Sequence, residues 1–138
     1  MKIRLNLNES FGRNVEWIMP SSSSSWKDIS ALSKTNAWLL NYFPNKESWS
    51  ESFKNGVRQV INLNAIQGIL NLDLDIKHYD PEVVYATEPA FQAGTKVPMP
   101  VVIHLLDQSL FLVNGGLRLA LCRKFKVHPS LFIINAEV

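Results

Sequence analysis

The sequence predicts an α/β or α+β fold, a small mixed sheet with N-terminal helices packed on it, and three observations indicate this class. Apolar residues recur at helical spacing between residues 26 and 60, and they alternate or form short runs after residue 70. Prolines and glycines divide these segments into short elements. The 138 residues suit one domain, with a helical, tryptophan-rich part over residues 1–62 and an α/β part over residues 70–138.

The composition excludes several classes of protein. Hydrophobic residues make up 46% of the chain and charged residues 19%, which is typical of a globular domain rather than a disordered chain. The net charge of +2 is too balanced to indicate nucleic-acid binding by itself. We expect no membrane span and no secretory signal, since no apolar run is long enough. The single cysteine, Cys122, favours a reducing compartment and a cytoplasmic protein, and we interpret it as a small buried side chain.

The N-terminal half is expected to contain one strand followed by two helices. The alternating KIRLNLN at residues 2–8 predicts a half-buried strand. The serine run at residues 21–25 is interpreted as a mobile surface loop, with a phosphorylated or ligand-closing lid as the alternative. Ser25 and Asp28 resemble a capping box for a helix that ends at Pro44. Residues 46–60 then carry one apolar helical face, which predicts the second helix.

The four tryptophans all lie within the first 50 residues. Large aromatic side chains usually supply buried area, so we expect them to form a core and its cap. The alternative is a surface patch through which the tryptophan-rich half binds a protein partner.

The C-terminal half is expected to consist of short strands around one helix. Residues 70–76 alternate leucine or isoleucine with polar residues, which predicts a strand. Residues 83–86 are predicted as a short strand, and residues 87–100 as a proline-containing loop. The later segments are predicted as a hairpin, a helix and a closing strand: residues 101–106 with 110–113, residues 116–125, and residues 131–134.

The stretch LFLVNGGLRLALCRK, residues 110–124, holds the strongest candidate site. An apolar strand enters a helix through Asn114, Gly115 and Gly116. Amide groups at a helix start lack partners within the helix, and the dipole end there is positive, so such a corner can bind an anion. Arg118 lies in the first turn, where a guanidinium can hold a phosphate through two parallel hydrogen bonds. The alternative is a simple turn, with Arg118 paired to a surface carboxylate.

Residues 100–134 resemble the ParB/sulfiredoxin superfamily. Residues 115–118, Gly-Gly-Leu-Arg, match its Gly-x-x-Arg box at a helix start, and the strands before and after the box match as well. The resemblance implies a small α/β fold that binds nucleotide phosphates; the cofactor stays open, with a nucleoside triphosphate and magnesium as the candidate. In that case Gly115, Gly116 and Arg118 would hold the phosphate, and Asn114 would shape the turn.

The box departs from this family at two positions. Sulfiredoxins carry a catalytic cysteine directly after the box glycine, where this chain has Gly116, so the sulfinic-acid reductase reaction is not expected. The partition proteins carry a glutamate and an arginine where this chain has Gly116 and Leu117, so hydrolysis is not implied and enzymatic activity stays open. Their helix-turn-helix DNA-binding domain is also not expected, because the chain ends at Val138.

Two further hypotheses concern macromolecular partners. A protein that kept the fold and lost the chemistry would be an interaction or inhibitory factor, for instance one encoded by a phage or mobile element. The other hypothesis is binding of a nucleic-acid backbone through Arg118 and three basic residues further along the helix, and it predicts affinity that falls with salt. These three residues are Arg123, Lys124 and Lys126.

The remaining candidates each have a structural interpretation beside a functional one. Asp107 can face the glycine corner, although turn formation alone explains it. Asp73 and Asp75 share one face of a predicted strand and could hold a metal ion with His78, but we expect a solvated strand face and no metal site. His104 is interpreted as a partly buried histidine rather than a base, since no nucleophile has a fixed spacing to it.

Overall fold

The computed structural model describes residues 15–136, and its fold is of the α/β or α+β class that the sequence predicts. The strands are β1 (Glu16–Ile18), β2 (Val57–Val60), β3 (Lys96–Pro98), β4 (Val101–His104), β5 (Leu110–Asn114) and β6 (Ser130–Asn135). The α-helices are α1 (Ser22–Leu32), α2 (Leu39–Tyr42), α3 (Lys46–Lys54), α4 (Pro81–Ala93) and α5 (Gly116–Phe125). Two 3₁₀ helices, Leu63–Gly68 and Ile76–His78, lie between β2 and α4. The strand predicted at residues 2–8 lies outside the described residues.

The main sheet has the strand order β2-β6-β4-β5. β4 and β5 form the predicted antiparallel hairpin, and β6 returns through α5 to run parallel to β4. β2 pairs with β6 antiparallel at one edge, and β1 and β3 form a separate parallel pair. The two central strands, β4 and β6, are buried along almost their whole length, which explains their continuous apolar sequences.

Helix α5 packs into the core and connects β5 to β6. It has the bounds that the sequence predicts, Gly116–Phe125. Leu119 and Leu121 are fully buried, and so is Cys122, whose pKa burial raises well above its usual value. The interpretation of Cys122 as a small buried side chain is therefore confirmed.

The tryptophans belong to the core and its margin, as expected. Trp49 is fully buried, and its indole Nε1 donates a hydrogen bond to the Ser25 hydroxyl at 3.0 Å. Trp17 is also buried, and Trp26 and Trp38 are half-buried against the core. Core packing alone therefore explains why so many aromatic residues lie in this half of the chain. The hypothesis that this half binds a protein partner stays untested.

The serine run is helical, so the predicted surface loop was wrong. Ser21 is the N-cap of α1, and its hydroxyl accepts a hydrogen bond from the Ser24 amide at 3.3 Å. Ser25 is buried within the first turn and Asp28 lies in the second, so these two do not form the predicted capping box. Serine is an equally good cap at several adjacent positions, and the repeated residue left the helix start ambiguous.

The helix predicted over residues 46–60 ends at Lys54, and β2 follows it. Gly56 lies at the junction, where an added Cβ would be 2.5 Å from the Phe132 ring, so the close approach of β6 requires glycine. Val57 and Val60 continue the apolar spacing of the helix, although they belong to a strand whose first residues are exposed. Their spacing misled the sequence prediction.

The segment between β2 and β3 also differs from the prediction. Within residues 70–76, Leu70 forms one isolated bridge with Phe111 instead of a strand. Leu72, Leu74 and Ile76 are partly buried against the core, whereas Leu70 is exposed. The alternation therefore reflects partial burial rather than pairing in a strand. The strand at residues 83–86 and the loop at residues 87–100 were wrong as well, because α4 occupies most of this segment. Pro89 lies inside α4, where proline usually argues against a helix.

Candidate anion-binding cleft

The glycine corner between β5 and α5 is tightly packed, and it requires glycine at position 115. Gly115 has a φ of +99°, in the left-handed region, and a Cβ there would lie 2.6 Å from the Cβ of Pro100. A Cβ at Gly116 would lie 2.6 Å from the Tyr79 hydroxyl oxygen. No side chain caps α5, and its first backbone bond runs from the Leu119 amide to the Gly115 carbonyl at 3.0 Å. The amides of residues 116–118 precede that bond and so have no acceptor within the helix.

A cleft of about 650 Å³ lies at this corner, between the start of α1, the start of α5 and one side of α4. Neither α1 nor α5 carries an acidic residue in its first turn. Two positive helix ends therefore open onto the same space, which favours a negatively charged ligand. The residues that line the cleft are Met19, Pro20, Ser21, Ser24, Asp28, Val83, Thr87, Pro98 and residues 114–118.

Arg118 is held beside the cleft by two hydrogen bonds. Its Nη1 donates to the Pro98 carbonyl at 2.6 Å, and its Nη2 donates to Oδ1 of Asn114 at 3.2 Å. Burial lowers the pKa of Arg118 and the nearby Asp28 opposes that shift, but a guanidinium still carries its charge at neutral pH. The expected alternative of a direct surface ion pair is not what the structure shows. These two bonds use two of the five N–H groups of the guanidinium.

Asp28 is the residue of this site that the sequence analysis missed as a functional group. Its Oδ2 accepts a hydrogen bond from Nδ2 of Asn114 at 3.0 Å, so Asn114 links the carboxylate to Arg118. The two partners are 86 residues apart in sequence, and no local spacing connects them. Asp28 balances part of the positive field in the cleft and fixes the amide orientation of Asn114.

The lining of the cleft divides into a polar part and an apolar part. The polar part comprises the Arg118 guanidinium, the backbone of the corner, and the hydroxyls of Ser21 and Ser24. These are donors that suit phosphate oxygens. Met19 and Val83 are exposed apolar side chains at the same cleft, and they offer a surface on which a ring can pack.

Asp107 does not belong to this site, and the prediction that it faces the corner was wrong. It lies in the turn before β5, and the five residues of that strand separate it from Gly115. Its carboxylate accepts hydrogen bonds from the Ser109 hydroxyl at 2.5 Å and the Ser109 amide at 3.0 Å, which lower its pKa. Turn formation explains the residue. His104 is partly buried, as expected, and lies 3.3 Å from Asn135, measured from Nδ1 to Oδ1.

The three other basic residues predicted as nucleic-acid contacts are separated from Arg118. Arg123, Lys124 and Lys126 are exposed at the C-terminal end of α5, whereas Arg118 lies in its first turn. Lys124 forms an ion pair with Glu88 of α4. The structure therefore places the predicted basic residues at two different sites.

Asp73, Asp75 and His78 are close together, but not on a strand. Nδ1 of His78 lies 2.6 Å from Oδ2 of Asp73, and Nε2 lies 3.5 Å from Oδ2 of Asp75. The hydrogen bond with Asp73 raises the pKa of His78, and a backbone hydrogen bond followed by that of His78 lowers the pKa of Asp73. Residues 15–136 contain no group of three or more His, Cys, Asp or Glu side chains that could hold a metal ion.

No family model, no curated protein and no solved structure matches this chain. The resemblance of residues 100–134 to the ParB/sulfiredoxin superfamily therefore stays a prediction. Within the described range, no helix combines the length and the apolar character that crossing a membrane requires.

Proposed function

We propose that the cleft between α1, α4 and α5 binds a phosphorylated small molecule, with a nucleotide as the ligand class. One observation carries this proposal: the first turns of two helices open onto one cleft beside a fixed guanidinium. Each helix start contributes donors and a favourable dipole, and the guanidinium adds a full positive charge. An anion there would interact with all three.

The phosphate group would lie at the start of α5. The amides of Gly116 and Leu117 and the free N–H groups of Arg118 are the donors available to its oxygens. The ring of a nucleotide would pack on the apolar part of the cleft, near Met19 and Val83. The volume of the cleft, about 650 Å³, is in the range of pockets that hold small molecules such as a nucleotide.

The proposal is binding rather than turnover. Among the described residues that line the cleft there is no histidine or cysteine, and Thr87 donates its hydroxyl hydrogen to the Val83 carbonyl at 2.7 Å. The carboxylate of Asp28, which also lines the cleft, accepts the hydrogen bond from Asn114. Among the described residues of the cleft, no nucleophile is paired with a base as covalent or general-base catalysis would require.

Calorimetric titration of ATP, CTP and GTP, each with magnesium, tests this proposal. The informative variant is Ser24→Glu, which places a carboxylate in the cleft at the third residue of α1. A glutamate there completes a capping box with Ser21, so the fold should be retained or stabilised. Repulsion between like charges should lower the affinity for the nucleotide about tenfold, equivalent to ~1.4 kcal/mol.

Ser23→Glu is the matched control, because it adds the same charge in the same turn at an exposed residue that does not line the cleft. We expect it to change the affinity by less than about threefold. Absence of heat with every nucleotide, or an equal loss in both variants, would contradict the proposal. Arg118→Ala should abolish binding, and its thermal unfolding must be measured alongside, since Arg118 also bonds the Pro98 carbonyl.

A further inference from the structure

A groove follows the C-terminal half of α5, and it is separate from the cleft at the start of that helix. Its two sections have volumes of about 520 and 560 Å³ and share Leu74 and Arg123 as lining residues. The first section lies along the 3₁₀ helix Leu63–Gly68, and the second lies along residues 74–77. Arg123 and Leu74 border both sections, and the two neighbouring sections together are called the basic groove.

The basic groove carries three cationic side chains that are not neutralised. Lys77, Arg123 and Lys126 are exposed and line it, and none forms an ion pair with a carboxylate of the described residues. Lys124 is excluded from this set, because it pairs with Glu88. Asp75 also lines the groove, and its Oδ2 lies 3.5 Å from Nε2 of His78. Its Oδ1 accepts a hydrogen bond from the Lys77 amide at 3.0 Å.

The neutral groups of the basic groove also favour a phosphate-bearing polymer. Asn64 and Gln67 project exposed amides from the 3₁₀ helix, and such amides commonly donate to phosphate oxygens. None of the described lining residues is aromatic, so the groove has no platform for stacking bases. The aliphatic side chains that line the groove are buried or half-buried, so they offer a protein partner little to anchor on; they are Leu63, Ile66, Leu74, Ile76 and Ala120. A nucleic-acid backbone needs only cations and donors along a path.

We propose that this basic groove binds the phosphate backbone of a nucleic acid without reading its sequence. Lys77, Arg123 and Lys126 supply the charge, and Asn64 and Gln67 supply neutral donors. The surface is independent of the nucleotide proposal, since none of these residues lines the cleft. Each contacted phosphate releases condensed counterions, so binding must weaken as salt rises.

The test is fluorescence anisotropy with labelled DNA duplexes of about 20 base pairs, in two unrelated sequences, at about 50 and 200 mM salt. Three phosphate contacts should lower the affinity of the wild-type protein about 40-fold over that range. Arg123→Ala leaves two contacts and should reduce that dependence to about 12-fold. The two sequences should bind equally.

Charge reversal supplies the matched control. Arg123→Glu should weaken binding at low salt at least about tenfold, whereas Lys34→Glu, the same type of change at an exposed lysine outside the groove, should change it less than about twofold. Equal losses in both variants, no binding at low salt, or equal competition by polyglutamate would overturn the proposal. Ser24→Glu should leave duplex binding intact, which separates this result from the nucleotide test. Thermal unfolding of each variant confirms that the fold is retained.

Discussion

The two ends of α5 differ in how they present positive charge. At the N-terminal end, Arg118 is held by the Pro98 carbonyl and Asn114 beside a cleft that two helix starts share. At the C-terminal end, Arg123 and Lys126 are exposed and border a shallow groove. A guanidinium fixed before the ligand arrives loses little freedom on binding, which suits a small anion bound in one orientation. Exposed cations on flexible side chains suit a longer polyanion, along which the protein can slide and whose binding weakens as salt rises.

The largest expected effect comes from a substitution in the glycine corner at the N-terminal end of α5. Gly115→Ala forces a side chain into the left-handed region and against Pro100, so the free energy of unfolding should fall by about 2–4 kcal/mol. Denaturant unfolding measures this difference. Gly68→Ala is the control, since nothing lies within 4 Å of its added Cβ and no positive φ is required, and it should change the stability by less than about 0.5 kcal/mol. Similar values for the two variants would show that the corner is not constrained.

A smaller effect concerns His128, which follows the C-terminal end of α5. His128 is buried, and its Nδ1 accepts the Leu63 amide at 3.0 Å, which anchors the 3₁₀ helix that borders the basic groove. Burial lowers the pKa of His128 below its usual value, so the neutral form stabilises the fold. That contribution is present above pH 6.5 and is lost as the pH falls through the lowered pKa.

His128→Asn tests this contribution, because the Asn Oδ1 can replace the acceptor without titrating. We expect the wild type to lose on the order of 1 kcal/mol relative to the variant between neutral and mildly acidic pH, measured by denaturant unfolding. The raised pKa of His78 acts in the opposite direction and is common to both proteins, so the difference isolates His128. Parallel pH curves for the two proteins would contradict this interpretation.

The smallest expected effect sharpens the electrostatic comparison. Asp28→Asn removes the carboxylate that lines the cleft while leaving an acceptor for Asn114, so nucleotide affinity should rise about three- to tenfold. Calorimetry measures the gain, and duplex binding at the basic groove should stay unchanged. Glu51→Gln makes the same charge change at an exposed residue of α3, where no gain is expected. A lower nucleotide affinity in Asp28→Asn would show instead that the carboxylate supports the ligand.

The sequence predicted the unit from β4 to β6 well, because each of its elements has an unambiguous local signal. The hairpin turn, the two glycines and the apolar runs that bracket α5 all agree with the structure. The segment between α3 and β3 was predicted poorly, since its signals conflict. Pro89 argued against a helix that Asp80, Pro81 and Gly94 delimit in the structure. Tertiary packing can override such local signals, and it cannot be read from the local pattern of one sequence.

The candidate site was predicted in its local part only. Asn114, Gly115, Gly116 and Arg118 are adjacent in sequence, and the structure places all four at the cleft. The contribution of α1 was missed, because Asp28 and the serine cap reach the corner through contacts about 90 residues away in sequence. Asp107 was misplaced for the opposite reason, since closeness in sequence does not bring the two ends of a strand together.

An NMR titration of the ¹⁵N-labelled protein with ATP and magnesium tests the central claim most directly, because each backbone amide reports its own surroundings. We expect saturable chemical-shift changes at the amides of Gly116, Leu117, Ser21 and Ser24, which line the cleft at the starts of α5 and α1. The amides near Arg123 should shift little at the same concentrations. Changes confined to the C-terminal end of α5, or none at any amide, would contradict the assignment of the cleft as the nucleotide site.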